Sequence, residues 1–237
     1  MGFRDGELDD IIIHMNEEVL NQYNLIGQDY IDGQSTVFNG KEDWGRQKLE
    51  EFYGDISGKV IIDAGCGHGI DTKIYIESGA KVILSFDPSP FMLDFAKNQI
   101  TDSSVDFKLG KYESIPFSDM CADILVGRFS LHYVKNLDDA YREIHRVLKT
   151  GGRMSFLVPH PIDDFSRKQS KEEEQEVVCI SLYDGKVIVK YPTHSFSDYF
   201  SEYFLRNFTL DGFAEFAPDE MDKKAHQTAF VFSATKK

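Results

Sequence analysis

Lys59-Val60-Ile61-Ile62-Asp63-Ala64-Gly65-Cys66-Gly67-His68-Gly69 is an apolar strand that ends on an acid and runs into three glycines at alternate positions. A strand that stops at a glycine-rich turn lays backbone beside whatever binds at the carboxyl edge of its sheet, because only a residue without Cβ lets a ligand come that close. The segment points to a nucleotide-like ligand or, read blandly, to a tight strand-to-helix connection that binds nothing. Its spacing is G-x-G-x-G. The dinucleotide fingerprint would need its third glycine at position 70, which is Ile70.

Outward from this turn the chain alternates. Apolar spacing predicts strands at 60–63, 81–87, 105–109, 122–126 and 153–158, with helices at 44–53, 70–78, 90–99 and 137–148 around them. Short apolar strands separated by amphipathic helices are the pattern of a doubly wound α/β fold, a Rossmann-like parallel sheet covered on both faces. Residues 1–43 are polar and irregular, with helical spacing in Leu8, Ile11, Ile12 and Met15 and again in Tyr23, Ile26 and Tyr30, and read as an N-terminal helical lid. Residues 44–160 form the core, 161–194 an inserted cap, and 195–237 a return to the core through a helix at 196–205 and two closing strands at 208–217 and 227–234. Inside the cap, the charged stretch 168–176 reads as a solvated helix or loop. Asp184-Gly185, between apolar runs at 177–183 and 186–191, signals a two-residue hairpin turn.

Composition bounds the partners. With 237 residues, 41% of them hydrophobic, the chain is long enough to bury a sizeable core. Forty acidic against 26 basic residues give a net charge of -14, which opposes a nucleic-acid backbone and an anionic membrane surface alike. Apolar runs are strand-sized, and Met1-Gly2-Phe3-Arg4-Asp5-Gly6-Glu7 lacks the apolar centre of a signal peptide, so a cytoplasmic protein that does not enter membranes is expected. Cys66, Cys121 and Cys179 are scattered without metal-ligand spacing, and no metal site is expected.

Four ordered segments carry a family resemblance. They are the glycine turn; Ser85-Phe86-Asp87-Pro88-Ser89-Pro90-Phe91-Met92-Leu93; Gly110-Lys111-Tyr112-Glu113-Ser114-Ile115-Pro116-Phe117; and Glu143-Ile144-His145-Arg146-Val147-Leu148-Lys149-Thr150-Gly151-Gly152-Arg153. From Trp44 onward the chain resembles class I S-adenosylmethionine-dependent methyltransferases of the small-molecule group that includes the ubiquinone and menaquinone enzymes. The resemblance implies a seven-stranded, mostly parallel sheet and S-adenosylmethionine as cofactor, with S-adenosylhomocysteine as product. It further implies that Asp63, Ala64, Gly65 and Gly67 border the methionine part, that Asp87 accepts hydrogen bonds from both ribose hydroxyls beside Pro88, and that Met92 lies near the adenine. A carboxylate suits two ribose donors because both of its oxygens accept; a helix N-cap is the other reading of Asp87. The pattern departs at Lys111, which stands where an acid commonly meets the adenine amino group, so adenine contact is left to the backbone of Lys111 and Tyr112. Arg46 aligns with an arginine that binds the cofactor's carboxylate in similar enzymes, Arg128 is grouped with it at the cofactor, and Tyr23 and Tyr30 resemble paired lid tyrosines. For Arg46 and for the tyrosines, a surface position and plain helix packing are the competing readings.

On the acceptor side, histidine is the side chain best tuned for a general base. His132 follows the fourth strand and His160 ends the fifth, where acceptors sit in this fold; His194 precedes the last helix. Each is equally readable as a hydrogen-bonded structural histidine. Gly127-Arg128-Phe129-Ser130 is unlike the Asn-Pro-Pro-Tyr motif of amide and exocyclic-nitrogen methylation, and the carboxylate clusters of a magnesium-dependent enzyme are missing. Phe196, Tyr199, Phe200, Tyr203, Phe204 and Phe208 either line a pocket for a planar substrate or pack as core. The expectation is methyl transfer to oxygen or nitrogen of a small aromatic or heterocyclic molecule, by a monomer or homodimer. Carbon methylation of a quinone-type ring and a non-catalytic S-adenosylmethionine-binding module are the alternatives.

Overall fold

A computed structural model describes residues 15–37, 44–162, 164, 170–172, 175–183, 187–215 and 229–237. Two helices precede the sheet, α1 (Met15–Val37) and α2 (Trp44–Tyr53). Five strands then alternate with three helices: β1 (Val60–Ala64), α3 (Ile70–Glu77), β2 (Val82–Asp87), α4 (Pro90–Gln99), β3 (Val105–Leu109), β4 (Ala122–Arg128), α5 (Leu137–Val147) and β5 (Leu148–Pro159). β6 (Ser170–Glu172), β7 (Gln175–Leu182) and β8 (Val187–Pro192) form a separate antiparallel sheet, and α6 (Phe196–Tyr199), α7 (Glu202–Asn207), β9 (Phe208–Glu215) and β10 (Ala229–Lys236) complete the chain.

Local chemistry explains the helices. Ser89 caps α4 by accepting from the Met92 N–H, with Pro90 preset at the first helical position. In α5, Asn136 accepts from Asp138 N, Asp138 and Asp139 sit at the positive end and Arg146 at the negative end, while Leu137, Ala140, Tyr141, Ile144 and Val147 bury one stripe.

The main sheet has the order β3-β2-β1-β4-β5-β10-β9, with β1 to β5 parallel and β10 antiparallel to both neighbours. One apolar layer, with Ile62, Phe86, Leu125, Phe156 and Phe232, packs under α5 and α7; the other, with Leu49, Tyr75, Ile83 and Val231, packs under α2 and α3. Strand order reverses between β1 and β4, so their carboxyl ends splay apart and leave a crevice, the usual ligand position in open α/β sheets. A third apolar cluster joins Tyr23, Ile26 and Tyr30 of α1 to Tyr133 and to Val178, Val187, Val189 and Tyr191 of the small sheet. α1 and the small sheet are thereby packed on the carboxyl side of β4.

Two of the following expectations need correction, and two fall partly outside the described residues. Of the N-terminal segment expected to be helical, Met15–Val37 forms one helix, while Leu8, Ile11 and Ile12 lie outside the described residues. The charged stretch 168–176 contributes strands, with Ser170↔Val177 and Glu172↔Gln175 in register, which makes the cap three-stranded rather than a lone hairpin. Between β7 and β8 the last pair is Leu182↔Val187, and the turn expected at Asp184-Gly185 lies outside the described residues. The helix expected at 196–205 is two short helices with separate caps, Ser195 and Ser201. Ser201 Oγ accepts from Phe204 N and donates to Asp138, tying α7 to α5. Ser201→Ala is expected to cost about 1 kcal/mol, a fall of about 2 to 4 °C in Tm by thermal unfolding.

Candidate cofactor and acceptor site

The glycine turn grows out of the β1 end. Gly65 N and Cys66 N both donate to the Phe86 carbonyl at 2.8 and 3.0 Å, which fastens the turn to β2. Gly65, Gly67 and Gly69 all have positive φ, a backbone that L side chains resist. Two residues past the turn's first glycine, Gly67 N donates to Asp87 Oδ2 at 2.8 Å, and Ser89 N donates to Asp87 Oδ1 at 2.9 Å. Asp87 is only 8% exposed. Each of its oxygens holds one backbone N–H and keeps acceptor capacity for another donor. Burial pushes its pKa up to about 6, against the pull of the Ser89 and Gly67 N–H groups. Asp63, 4% exposed, accepts from Thr72 Oγ1 at 2.5 Å, and burial followed by the charge of Asp71 pushes it up to about 7.

At the start of α3, Asp71 pairs with two cations, Arg46 Nη2 at 3.0 Å and Arg128 Nε at 2.7 Å. Two guanidinium groups around one carboxylate leave this corner of the glycine turn net positive, the arrangement that attracts a carboxylate ligand. On the opposite side, Tyr112 Oη and Ser130 Oγ lie 2.7 Å apart and stand 3.1 and 2.7 Å from the Ala64 carbonyl. That carbonyl is thus met by two hydroxyls, and Tyr112 is buried against Phe86 and Phe156, while Lys111 is exposed at an isolated bridge to Ser114.

The lid helix closes over the adjacent edge. Asn24 Oδ1 accepts from Ser89 Oγ at 2.6 Å and lies 3.4 Å from Phe91 N, and Gly27 lets α1 approach the Phe91 ring, which a Cβ there would meet at 2.3 Å. Pro88 is half-buried and Met92 fully buried at this junction. Tyr30 packs edge-on against Tyr23, Tyr183 and His68 of the glycine turn, and Tyr23 Oη is 2.6 Å from Tyr133 Oη. Burial, then Arg128, push the His68 pKa down to about 4, so its ring is neutral.

The histidines separate. His160 Nε2 lies 2.8 Å from Glu215 Oε1 and its Nδ1 accepts from Ile162 N at 3.2 Å, so both nitrogens are in use. His194 Nε2 is 3.2 Å from the His132 carbonyl oxygen. His132 itself, on a 3-10 turn over Leu131–Tyr133, is buried with Nδ1 unpartnered. Tyr199, Phe204 and Phe208 are core, with Phe196, Phe200 and Tyr203 packed against them. Asp71, Thr72, Ser130, Asn24, Tyr133 and His68 were not singled out from sequence; Asp71 and Thr72, directly after the glycine turn in its helix, were the most findable.

A five-strand parallel run with a reversed final hairpin, a glycine turn at the switch point and a buried acid ending the next strand define a class I S-adenosylmethionine-dependent methyltransferase fold. Residues 62–156 match the family described as Methyltransferase domain. Over 150 residues the chain is 30% identical to a demethylmenaquinone methyltransferase of Tropheryma whipplei, covering 61% of each protein. Over 125 residues it is 35% identical to a malonyl-[acyl-carrier protein] O-methyltransferase of Yersinia pestis, covering 52% of this chain and 45% of that one. A solved structure described as a putative S-adenosylmethionine dependent methyltransferase from Listeria monocytogenes superposes with a TM-score of 0.67 at 22% identity, over 81% of this chain and 96% of that one. Residues 62–156 of the chain thus match a methyltransferase domain within a class I S-adenosylmethionine-dependent methyltransferase fold, and the chain spans 45% to 61% of the length of these curated relatives. S-adenosylmethionine is the cofactor this family implies, and the site fits it on two observations: a pinned carboxylate with spare acceptor capacity on each oxygen, and a turn at Gly67 with no atom within 4 Å of where a Cβ would stand. Among the described residues no helix is long and apolar enough to cross a membrane, and no three His, Cys, Asp or Glu side chains are grouped to hold a metal.

Proposed function

We propose that the chain transfers a methyl group from S-adenosylmethionine to oxygen or nitrogen of a small aromatic or heterocyclic molecule. The observation that carries the reading is Asp87, buried at the switch point with its carboxylate held by Gly67 N and Ser89 N and facing the open side of the glycine turn. In this reading Asp87 takes the ribose hydroxyls, with Pro88 and Met92 beside the adenine. Arg46 and Arg128, oriented by Asp71, take the cofactor's carboxylate, and Asp63, Ala64, Gly65 and Gly67 border its methionine part. Lys111 and Tyr112 offer backbone to the adenine, and Tyr23 and Tyr30 close the lid.

When bound, the cofactor supplies a sulfonium methyl that is already electrophilic. The protein's share is to hold an acceptor in line and keep water out, which contributes up to about 7 to 11 kcal/mol of barrier lowering. The tyrosine-rich contact of α1, the 3-10 turn and the small sheet is suited to excluding water on the acceptor side.

Carbon methylation of a quinone-type ring is a second reading, favoured by the similarity to demethylmenaquinone methyltransferases. Calorimetry with S-adenosylmethionine, S-adenosylhomocysteine and NAD tests the cofactor. Binding of the first two without the third is expected; failure of both to bind sinks the proposal.

A further inference from the structure

Three buried histidines line the carboxyl side of β4 and β5, and they are treated differently by their surroundings. His160 spends both nitrogens, on Glu215 and on the Ile162 N–H. His194 places Nε2 on the His132 carbonyl, which fixes the backbone of the 3-10 turn. His132 is 3% exposed, its Nδ1 has no hydrogen-bond partner, and no hydrogen bond to its other ring nitrogen is formed among the described residues. A buried polar nitrogen left unmet costs about 1 to 3 kcal/mol, so its persistence calls for an explanation beyond packing.

The surroundings supply one. The ring stands 4.2 Å from Tyr133 and 4.5 Å from Tyr191, the latter perpendicular, with Phe129 at 6.5 Å. Tyr133 and Tyr191 belong to the packed cluster of α1, the 3-10 turn and the small sheet, and an aromatic surrounding of this kind suits a planar molecule. The titratable groups facing the ring are His194 after β8, Tyr191 on β8 and Tyr133 on its own turn. Tyr191 directs its hydroxyl to Asp164, and Tyr133 pairs with Tyr23 of α1. No carboxylate is bonded to the imidazole among the described residues. Burial, and then His194, hold its pKa well below the ordinary value, which keeps a lone pair available at neutral pH.

Resting on the transferase reading above, we propose that His132 meets the methyl acceptor and takes its proton, so that the acceptor presents its reacting atom as O–H or N–H. The balance is simple. As the bond from acceptor oxygen or nitrogen to the methyl carbon forms, the carbon–sulfur bond breaks with its electron pair returning to sulfur. The acceptor's proton passes to the imidazole and leaves to water afterwards. A reacting ring carbon would offer no such donor at its own position and would leave the nitrogen unmet.

The test uses matched probe pairs on the full chain, histidine-labelled with ¹⁵N and saturated with S-adenosylhomocysteine: phenol against anisole, and indole against 1-methylindole. Phenol or indole is expected to move the His132 ring resonances, and its affinity to fall at least about fivefold in His132→Phe, while the methylated members bind wild type and variant alike. His132→Asn, which keeps an acceptor near the Nδ1 position, is expected to recover part of the preference. Affinity for S-adenosylhomocysteine should stay within about twofold in both variants, which also reports that they fold. Methylated probes that move His132 as strongly as their donors overturn the proposal. So do donors that bind His132→Phe unchanged, or donors that never touch His132. Failure of wild type to bind S-adenosylhomocysteine would instead remove the transferase reading itself.

Discussion

Asp87→Ala is expected to weaken S-adenosylmethionine at least tenfold, about 1.4 kcal/mol, measured by calorimetry at neutral pH. Tenfold is a lower bound, since hydrogen bonds to a charged group contribute about 1.5 to 3 kcal/mol and the ribose offers two donors. The substitution also strips Gly67 N and Ser89 N of their acceptor, which loosens the turn that the cofactor lies on. A pH dependence accompanies it. With its pKa raised to about 6, Asp87 loses acceptor capacity as pH falls through that value, and wild-type affinity should drop toward about tenfold per pH unit below it. The stability sign is opposite. A carboxyl raised from 3.8 binds its proton more tightly folded than unfolded, so its contribution to stability is full below about pH 4 and is lost as pH rises toward 6. Asp63, raised to about 7, extends that loss to higher pH. Raising the pH from about 4 should therefore tighten the cofactor while the stability contributed by these two carboxyls falls, against the gain from the buried neutral His68 and His132. Asp87→Ala should flatten the affinity profile around pH 6, and an unchanged dissociation constant would mean that the ribose lies elsewhere.

The parallel sheet was legible because its strands are buried on both faces and so are written as unbroken apolar runs. Val60-Ile61-Ile62 and Ile124-Leu125-Val126 permit no other reading between helices of this length. Asp87 was legible for a related reason, since its place at the strand end is fixed by local spacing. Pairing across distance was not. Residues 170–172 and 175–176 carry charge but no sign of their partners, and their strand state comes from the register between β6 and β7, which composition does not encode. At 196–205 the aromatic spacing mimics one helix and masks the second cap at Ser201, where a hydroxyl competing for backbone N–H restarts the helix. The site divides the same way. Asp71 sits next to the glycines, yet its two arginines arrive from α2 and β4. Ser130 and Tyr112 meet at the Ala64 carbonyl only because β4 lies beside β1 in the sheet. His132 could be placed at the strand's end from sequence; that its Nδ1 is left without a partner there could not.

Gly65→Ala and Gly67→Ala are expected to fail in different ways, although both glycines have positive φ, +71° and +53°. At Gly65 a Cβ would stand 2.4 Å from Ser130 Cβ and 3.1 Å from its Oγ. Ser130 has little room to yield, because its hydroxyl is engaged by the Ala64 carbonyl and by Tyr112. Left-handed backbone costs an alanine about 1 to 2 kcal/mol, and overpacking adds about 1 to 3. The sum is about 3 kcal/mol, a fall of about 6 to 12 °C in Tm for a chain of this size. At Gly67 no atom lies within 4 Å of the added Cβ, so only the backbone strain remains, about 1 to 2 kcal/mol and a few degrees. The new methyl instead enters the space above the turn beside Asp87. If that space is the cofactor's, Gly67→Ala should lose at least about tenfold in S-adenosylmethionine affinity while remaining folded at room temperature. Gly65→Ala should show its loss chiefly in the unfolding curve. Full cofactor affinity in a folded Gly67→Ala would leave the turn a tight connection and nothing more, because the one of its three glycines with room for a Cβ would then be growing into solvent.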